Sequence, residues 1–377
     1  MRVIYSIDAR LGATGIGYTA FNAVQGIYAA GALARLYVSA NAQSIIPTAL
    51  IRQWGTAGRV LKYLAAHDST GILYHLENIL FDTWVAVQLP MGDLLHTWNG
   101  HALQSLRRAK QRGMITVIER ASSHPATMVE LLREEHRRWQ VLFHLPMWNY
   151  TRLLREIAEA DYITTPSAFA RDSMMAHGVS ENKLIRIPFG VDSQYFTPAR
   201  TQTAHPFRAL FAGQVSIRKG IPYLLEAWQR LGWLDAELWI AGNVTRDFAA
   251  IRERWRDLPG ITFLGHARDV LSLYQQSDVF VFPSIEEGSA LVTYEAMACG
   301  LPIITTPNAG SVARDSEEGY IVPIRNVEAL CAALERLRAD APLRERMARA
   351  ARARAEEFPW ARYCDALLAS YRKMLER

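Results

Sequence analysis

Two carboxylates, Glu287 and Glu295, stand eight residues apart in "PSIEEGSALVTYEAMACGLP", residues 283–302, on either side of an expected helix start. A second stretch, "FAGQVSIRKGIPYLLEAW", sets the cations Arg218 and Lys219 just before another helix start, with Pro222 near the first position, where a missing N–H costs nothing. In both, an apolar strand runs into a short loop and then a helix. The first turn of such a helix leaves backbone N–H groups unpaired and carries partial positive charge, so it can hold phosphate oxygens. Ser289, Ala290 and Leu291 open the helix expected over residues 290–299, with Ser289 as its cap, Gly300 at its end and Pro302 stopping it. Two cations beside a helix start suit a phosphate, and the turn acid Glu287 would lie beside a phosphate held at the other helix start. No Walker A order, GxxxxGK[ST], is present.

Other candidates carry less pattern. The loop "GATGIG" follows the opening strand, and its Gly15 and Gly17 can let backbone approach a ligand. His96, His101 and His124 sit in the N-terminal half; His96 and His101 are five apart in an expected loop, not a metal-ligand spacing. Asp-x-Asp is absent, which removes the usual metal–diphosphate motif, and no metal site is expected. Cys299, Cys331 and Cys364 are odd in number and form no CxxC, so neither a disulfide framework nor a zinc site is expected, and a reducing, cytoplasmic setting is.

These residues need a frame. At 377 residues with 50% apolar composition the chain has material for two domains of ordinary size. "RVIYSI", "ARLYVSA", "GDLLHTW", "MITVIE" and "ADYITTPS" alternate with helical stretches such as "HALQSLRRAKQRG", the rhythm of a parallel sheet with helices on both faces. "KLIRIPFGVDSQYFTPARTQTAHP" interrupts it as a linker, and "FRALFAG", "AELWIAG", "ITFLG", "DVFVFPS", "LPIITT" and "EGYIVP" restart it. The expected division is 1–188 and 189–359, with Pro359 breaking the helical tail before a last helix over 360–377. No run of about eighteen uncharged apolar residues occurs; "ILFDTWVAVQLP" comes nearest and Asp82 interrupts it, so no spanning helix is expected. "MRVIYSIDARLG" lacks the marks of a signal peptide and is read as part of the fold.

Charge is uneven. Residues 1–188 hold 19 Lys and Arg against 14 Asp and Glu, while residues 189–377 hold 23 of each. Residues 41–66, with Arg52, Arg59 and Lys62 and no acid, have a composition compatible with a helix at a membrane surface, and 131–155 is a second basic, Trp-bearing stretch.

"GQVSIRKG" followed by "PSIEEGSALVTYEAMACGLPIITT" resembles the retaining, nucleotide-sugar-dependent glycosyltransferases of the GT-B fold, group 1, commonly called family 4, whose signature is the E-x7-E pair Glu287 and Glu295. "FGVDSQYFTP", "ITFLGHARDVLSLYQQSDVFVFPS" and "AGSVARDSEEGYIVP" are similar to its flanking segments. The resemblance implies an α/β protein of two Rossmann-like domains facing a central cleft, an acceptor-side N-terminal domain and a donor-binding C-terminal one, the last helix crossing back. It implies that Glu295 accepts from ribose hydroxyls, that Glu287 lies near the donor sugar, and that Arg218 and Lys219 steady the leaving diphosphate. Gly15, Gly17 and Gly213 would approach the diphosphate, Gly265 and His266 would frame the base, and His101 or His124 would serve on the acceptor side. Two positions depart from the family: Trp98 stands where a second histidine of His-x-His is usual, and Gln214 where an arginine is usual, with Arg218 as its substitute.

The activity implied is transfer of a sugar from a nucleoside diphosphate sugar to an acceptor hydroxyl, in glycan, glycolipid or cell-envelope polysaccharide synthesis. No cofactor or metal is expected; the partners implied are the nucleotide-sugar donor and a glycan or lipid-linked acceptor, with peripheral membrane contact at the inner face and no nucleic acid. The alternatives are a sugar-nucleotide epimerase of the same fold and a catalytically silent sugar-binding protein. A dinucleotide oxidoreductase is disfavoured, since the loop reads GxxGxG and "LYVSANA" lacks the ribose-binding acid.

Overall fold

A computed structural model of the chain describes residues 1–68, 71–200 and 205–376; residues 201–204 of the expected linker and Arg377 of the expected last helix fall outside them. The N-terminal half holds β1 (Val3–Leu11), α1 (Ile16–Ala29), β2 (Leu33–Asn41), β3 (Ile51–Gln53), α2 (Thr56–His67), α3 (Ile72–Gln88), β4 (Leu94–Trp98), α4 (Leu103–Gln111), β5 (Ile115–Glu119), α5 (Pro125–Arg138), α6 (Met147–Glu159), β6 (Tyr162–Thr165), α7 (Ala168–Ala176) and β7 (Leu184–Arg186). The second half holds β8 (Phe207–Ala212), α8 (Ile221–Leu231), β9 (Ala236–Ala241), α9 (Arg246–Ala249), β10 (Ile261–Gly265), α10 (Val270–Gln275), β11 (Val279–Phe282), α11 (Leu291–Ala298), β12 (Ile303–Thr305), β13 (Gly319–Ile321), α12 (Val327–Ala339), α13 (Ala341–Glu356) and α14 (Trp360–Leu375).

The strands form two parallel sheets, ordered β3-β2-β1-β4-β5-β6-β7 and β10-β9-β8-β11-β12-β13. Helices cover both faces, so the central strands are almost wholly buried, the polar Ser6, His96 and Thr97 included; every residue of "VFVF" in β11 is buried. In each sheet the order reverses beside its first strand, between β1 and β4 and between β8 and β11. A crevice opens at the carboxyl ends of strands at such a switch point, which is where open α/β sheets bind ligands.

The last helix returns to the first half. Tyr371 Oη lies 2.7 Å from His96 Nδ1, Tyr363 donates to both oxygens of Glu119 at 3.1 Å, and a Cβ at Gly26 would fall 2.5 Å from Cys364 Cβ, so α1 and α14 cross only with glycine there. This is the two-domain GT-B architecture, with the final helix crossing back.

Two further readings change. Residues 41–66 are not one helix: β3 pairs with β2 through Leu36–Ile51, a contact local composition cannot announce, and α2 begins only at Thr56. Nor are the tryptophans of the two basic stretches all outward. Trp54 packs edge-on against Phe81, and Trp139 is buried between Tyr223 and Trp255 of the second half, at ring distances of 5.6 and 5.7 Å. Apolar residues do remain exposed on α2 and α3, among them Tyr63 at 66%, Ile72 at 54% and Val87 at 76%. Among the described residues no helix is long and apolar enough to cross a membrane.

Candidate active site

A cleft of about 500 Å³ lies where the two switch points face one another. Gly15, Gly213, Arg218, Lys219, His266, Glu287, Ser289, Ala290, Leu291 and Glu295 all line it. Gly17, Gly265, His101 and His124 are not among its lining residues. Gly17 packs α1 onto β1, since a Cβ there would meet the Arg10 carbonyl at 2.3 Å, and the Gly265 carbonyl accepts from Gly242 N at 2.7 Å.

The charged cluster sits at the ends of β8 and β11. Lys219 is buried and forms an ion pair with Glu287, while Arg218 Nη1 lies 3.6 Å from Glu287 Oε2 and 3.3 Å from Glu286 Oε2. Burial, and then Arg218 beside it, push the Lys219 ammonium well below its usual pKa, and Glu286 opposes this. A charged Lys219 therefore depends on an anion in contact with it, which Glu287 supplies here and a phosphate can supply in its place. Glu295, one turn and a little more into α11, accepts from Tyr274 Oη at 2.9 Å; burial raises its carboxyl to about 7 against the pull of that bond.

The start of α11 differs from expectation. Ser289 does not cap it: the hydroxyl donates to Gly310 O at 2.9 Å and lies 3.1 Å from Tyr294 Oη, and Ala290 is the cap position, without a side-chain bond. The Ala290 N–H is already given to Ala309 O at 3.0 Å, so it has none to offer a phosphate. Leu291 and Val292, in the first turn proper, also line the cleft, and the N–H groups of a first turn have no intrahelical acceptor.

The three candidate histidines are engaged in packing and hydrogen bonds within the N-terminal half and with α14. His96 is fully buried, stacked on Tyr5 and held between Glu119 and Tyr371. His101 accepts the Asp8 N–H at 3.0 Å through Nε2, and burial lowers its pKa to about 4. His124 accepts from Ala126 N as the cap of α5 and stacks on His177; burial, then His177 and Arg120, bring it to about 4. Trp98, in place of the second histidine, does line the cleft, with its indole N–H spent on Tyr5 Oη at 2.8 Å.

Sequence reasoning passed over Glu286. Its fully buried carboxylate accepts from Ser122 Oγ at 2.6 Å, Ser123 Oγ at 2.8 Å and Ser123 N at 3.1 Å, joining the β5–α5 loop of one domain to the β11–α11 loop of the other. Burial would raise its pKa, yet Arg218, the two serines and Arg120 hold it below the ordinary glutamate value. Gly288 seals the same contact: a Cβ there would sit 2.2 Å from the Ala121 carbonyl carbon. The far end of α5 is also tied across, with Glu135 bonded to Tyr223 Oη at 2.7 Å and Arg325 Nε at 2.5 Å. The only local signal was a doubled acid, Glu286–Glu287, where the motif asks for one.

Residues 206–340 match the family described as "Glycosyl transferases group 1". The matched stretch lies within the C-terminal half and includes both helix starts of the cleft, α8 and α11. The chain is 31% identical over 228 residues to a D-inositol 3-phosphate glycosyltransferase of Paenarthrobacter aurescens, a match covering 54% of this chain and 55% of that one. It thus spans about half the length of the curated relatives it matches. Two solved structures share the whole fold: sucrose-phosphate synthase from Thermosynechococcus elongatus, TM-score 0.69 at 19% identity with both chains fully covered, and HepE of Anabaena in complex with UDP, TM-score 0.72 at 14% identity over 99% of this chain and 100% of that one.

Proposed function

We propose that the chain transfers a glycosyl group from a nucleoside diphosphate sugar to an acceptor hydroxyl, with retention of anomeric configuration and without a metal ion. The observation that carries this is the convergence of Arg218, Lys219, Glu287 and the α11 start on one cleft between two switch points. Arg218 and Lys219 neutralise the leaving diphosphate, taking the place a metal ion would fill, and Leu291 and Val292 N–H groups add donors that need no reorganisation. Glu295 accepts from the ribose hydroxyls, and Glu287 faces the developing positive charge of the sugar. The C1–phosphate bond breaks while C1 bonds to the acceptor oxygen on the same face, and the acceptor proton passes to the departing phosphate. Catalysis then rests on positioning and charge, not on an enzymic nucleophile. The complex of HepE with UDP and the D-inositol 3-phosphate glycosyltransferase relative support a donor of this class, and the likeness to WaaG, a glycosyltransferase involved in lipopolysaccharide biosynthesis, supports a place in glycan, glycolipid or envelope polysaccharide synthesis.

We assign the exposed apolar faces of α2 and α3, with Arg52 and Arg59 beside them and exposed, to contact with an anionic membrane surface on the cytoplasmic side. Two experiments test the reading. UDP-, GDP- and ADP-sugars are supplied with and without acceptor extracts in excess chelator, and the product anomer is read by NMR. Inversion, a strict need for metal, or an epimerised sugar nucleotide formed without acceptor would count against it. Sedimentation with anionic and neutral vesicles addresses the membrane face; absence of binding to anionic vesicles at low salt rejects it.

A further inference from the structure

Two acids of the cleft are held in opposite ways. Glu287 meets two cations, Lys219 in an ion pair and Arg218 at 3.6 Å. Glu295 meets none: among the described residues no cation pairs with its carboxyl, and Tyr274 Oη, 2.9 Å from Oε2, is the one side chain that donates to it. Leu291 and Val292, a turn before it on α11, line the same wall and add no side-chain donor.

Tyr274 is fixed where it stands. It is fully buried on α10, its ring edge-on to Phe280 at 5.7 Å and to Phe196 at 6.1 Å. Its hydroxyl has one other acceptor in reach, Val292 O at 3.5 Å. Burial, and then Glu295 itself, keep that hydroxyl protonated well past its ordinary range, so it remains a donor throughout neutral pH. The other titratable groups facing Glu295 are Tyr18 of α1 and Cys299, one turn on in α11. Beyond them lie Asp192 and Arg352, and the Arg352 guanidinium is spent on the carbonyls of Ser193, Phe196 and Ala298 and on Glu356. One hydroxyl is thus the whole of what the side chains offer a carboxylate with room for about four donors. A charge held so poorly is unfavourable, and the free carboxyl keeps its proton up to about pH 7.

A bound ribose changes this. Its two neighbouring hydroxyls supply the missing donors, and hydrogen bonds to a charged acceptor are about twice as strong as those to a neutral one, so the ligand favours the carboxylate. We infer that binding of the nucleotide sugar expels a proton from Glu295 to solvent, and that Tyr274 is the positioning residue that presents the carboxyl to the ribose. The Glu295 O–H bond breaks, the proton passes to a buffer base, and the carboxylate is left with Tyr274 and both ribose hydroxyls as donors. The sign is diagnostic. The other titratable groups lining the cleft, Arg218, Lys219, His266 and Glu287, meet an anionic diphosphate, which favours the protonated form of each, so any proton they exchange is taken up. This inference rests on the donor reading and deepens it.

The test is calorimetric titration of UDP-glucose, GDP-mannose and ADP-glucose into the full chain, in buffers of different ionisation enthalpy, which counts the protons exchanged. The esterified diphosphates of these probes do not themselves titrate near neutral pH. With the carboxyl titrating at about 7, the probe that binds is expected to release roughly half a proton more from wild type than from Glu295→Gln at pH 7, and about a tenth more at pH 8. Wild-type affinity should rise about fivefold from pH 6 to pH 7 and less than about twofold from pH 7 to pH 8, a readout that does not need the variant to bind. Tyr274→Phe keeps the packed ring and removes the donor. Its free carboxyl holds the proton to higher pH, so at pH 8 it should release about threefold more than wild type, a change that a merely structural role for the ring would not produce. Equal counts in wild type and Glu295→Gln, an affinity that is flat or falls from pH 6 to pH 7, or a Tyr274→Phe count at pH 8 no larger than wild type would overturn this inference and leave the donor reading standing. Absence of binding by all three nucleotide sugars would overturn both.

Discussion

The two walls of the cleft differ in kind. The C-terminal wall brings Arg218, Lys219, Glu287 and Glu295 to the ligand, with two helix starts behind them; the N-terminal wall brings Thr14, Gly15, Ile16, Thr19, Trp98 and Ala121, none of them ionisable. The candidate histidines of the N-terminal half have been drawn into its structure: His96 to α14, His101 to the β1 backbone and His124 to the cap of α5. In this account one domain supplies the charge of the reaction and the other supplies shape and a surface for the acceptor. Substitutions on the first wall should abolish turnover, and those on the second should adjust it.

The largest effects are expected at Lys219→Ala and Glu287→Ala. Each should fold and lose about two to three orders of magnitude in transfer rate, the usual cost of removing one preorganised charge contact. Rates near wild type in both variants would dissolve the contrast between the walls.

Glu286→Gln comes next. It weakens the acceptor of three hydrogen bonds between the domains, and leaving buried polar groups imperfectly paired costs about 1–3 kcal/mol. Denaturant unfolding should show a loss of that size, and transfer should slow by roughly tenfold at saturating donor because the two loops no longer hold their spacing. An unaltered midpoint with an unaltered rate would show that this bridge is incidental.

His101→Gln and His124→Gln should change turnover by less than about threefold, far below the two orders of magnitude assigned to a preorganised charge contact. Their signature is instead in stability. Both imidazoles titrate near 4 in the fold against an ordinary value of 6.5, so the unfolded chain binds more protons between those pH values. Each contribution is present above pH 6.5 and is lost as pH falls toward 4. Unfolding curves of wild type and variants should converge on acidification; a gap that widens instead contradicts the assignment.

The smallest predicted effect has the opposite sign. Glu295 titrates at about 7 in the fold against an ordinary 4.5, so its stabilising contribution is complete below 4.5 and is lost as pH rises through 7. The stability of Glu295→Gln relative to wild type should therefore increase from pH 5 to pH 8. A flat difference across that range would mean that the carboxyl is not held protonated by its burial.

What could be read in the sequence was what is local. Strand, turn and helix from Val279 to Ala298 are contiguous, and apolar run, acid doublet and closing glycine mark their order without any distant partner. The same locality misled at the start of α11: a serine before a helix is the commonest cap, but Ser289 turns to Gly310 twenty-one residues on, and Ala309 takes the Ala290 N–H. Glu286 was illegible for the same reason, since its serine partners lie more than 160 residues away. In the N-terminal half the loops and helix faces that would receive an acceptor carry no spacing rule, and a histidine's number in the chain does not say which way its ring faces. Residues 41–66 read as one basic amphipathic stretch because the short β3 within them is defined only by its pairing with β2.

The central claim is that this cleft binds a nucleoside diphosphate through the Arg218–Lys219 pair and needs no metal ion to do so. Calorimetric titration of UDP, GDP and ADP in excess chelator, with wild type and Lys219→Ala side by side, tests it most directly. The account predicts that at least one of the three binds the wild type and that Lys219→Ala binds it more than tenfold less tightly. Absence of binding until a divalent metal is added, or equal affinity in the two proteins, would contradict it.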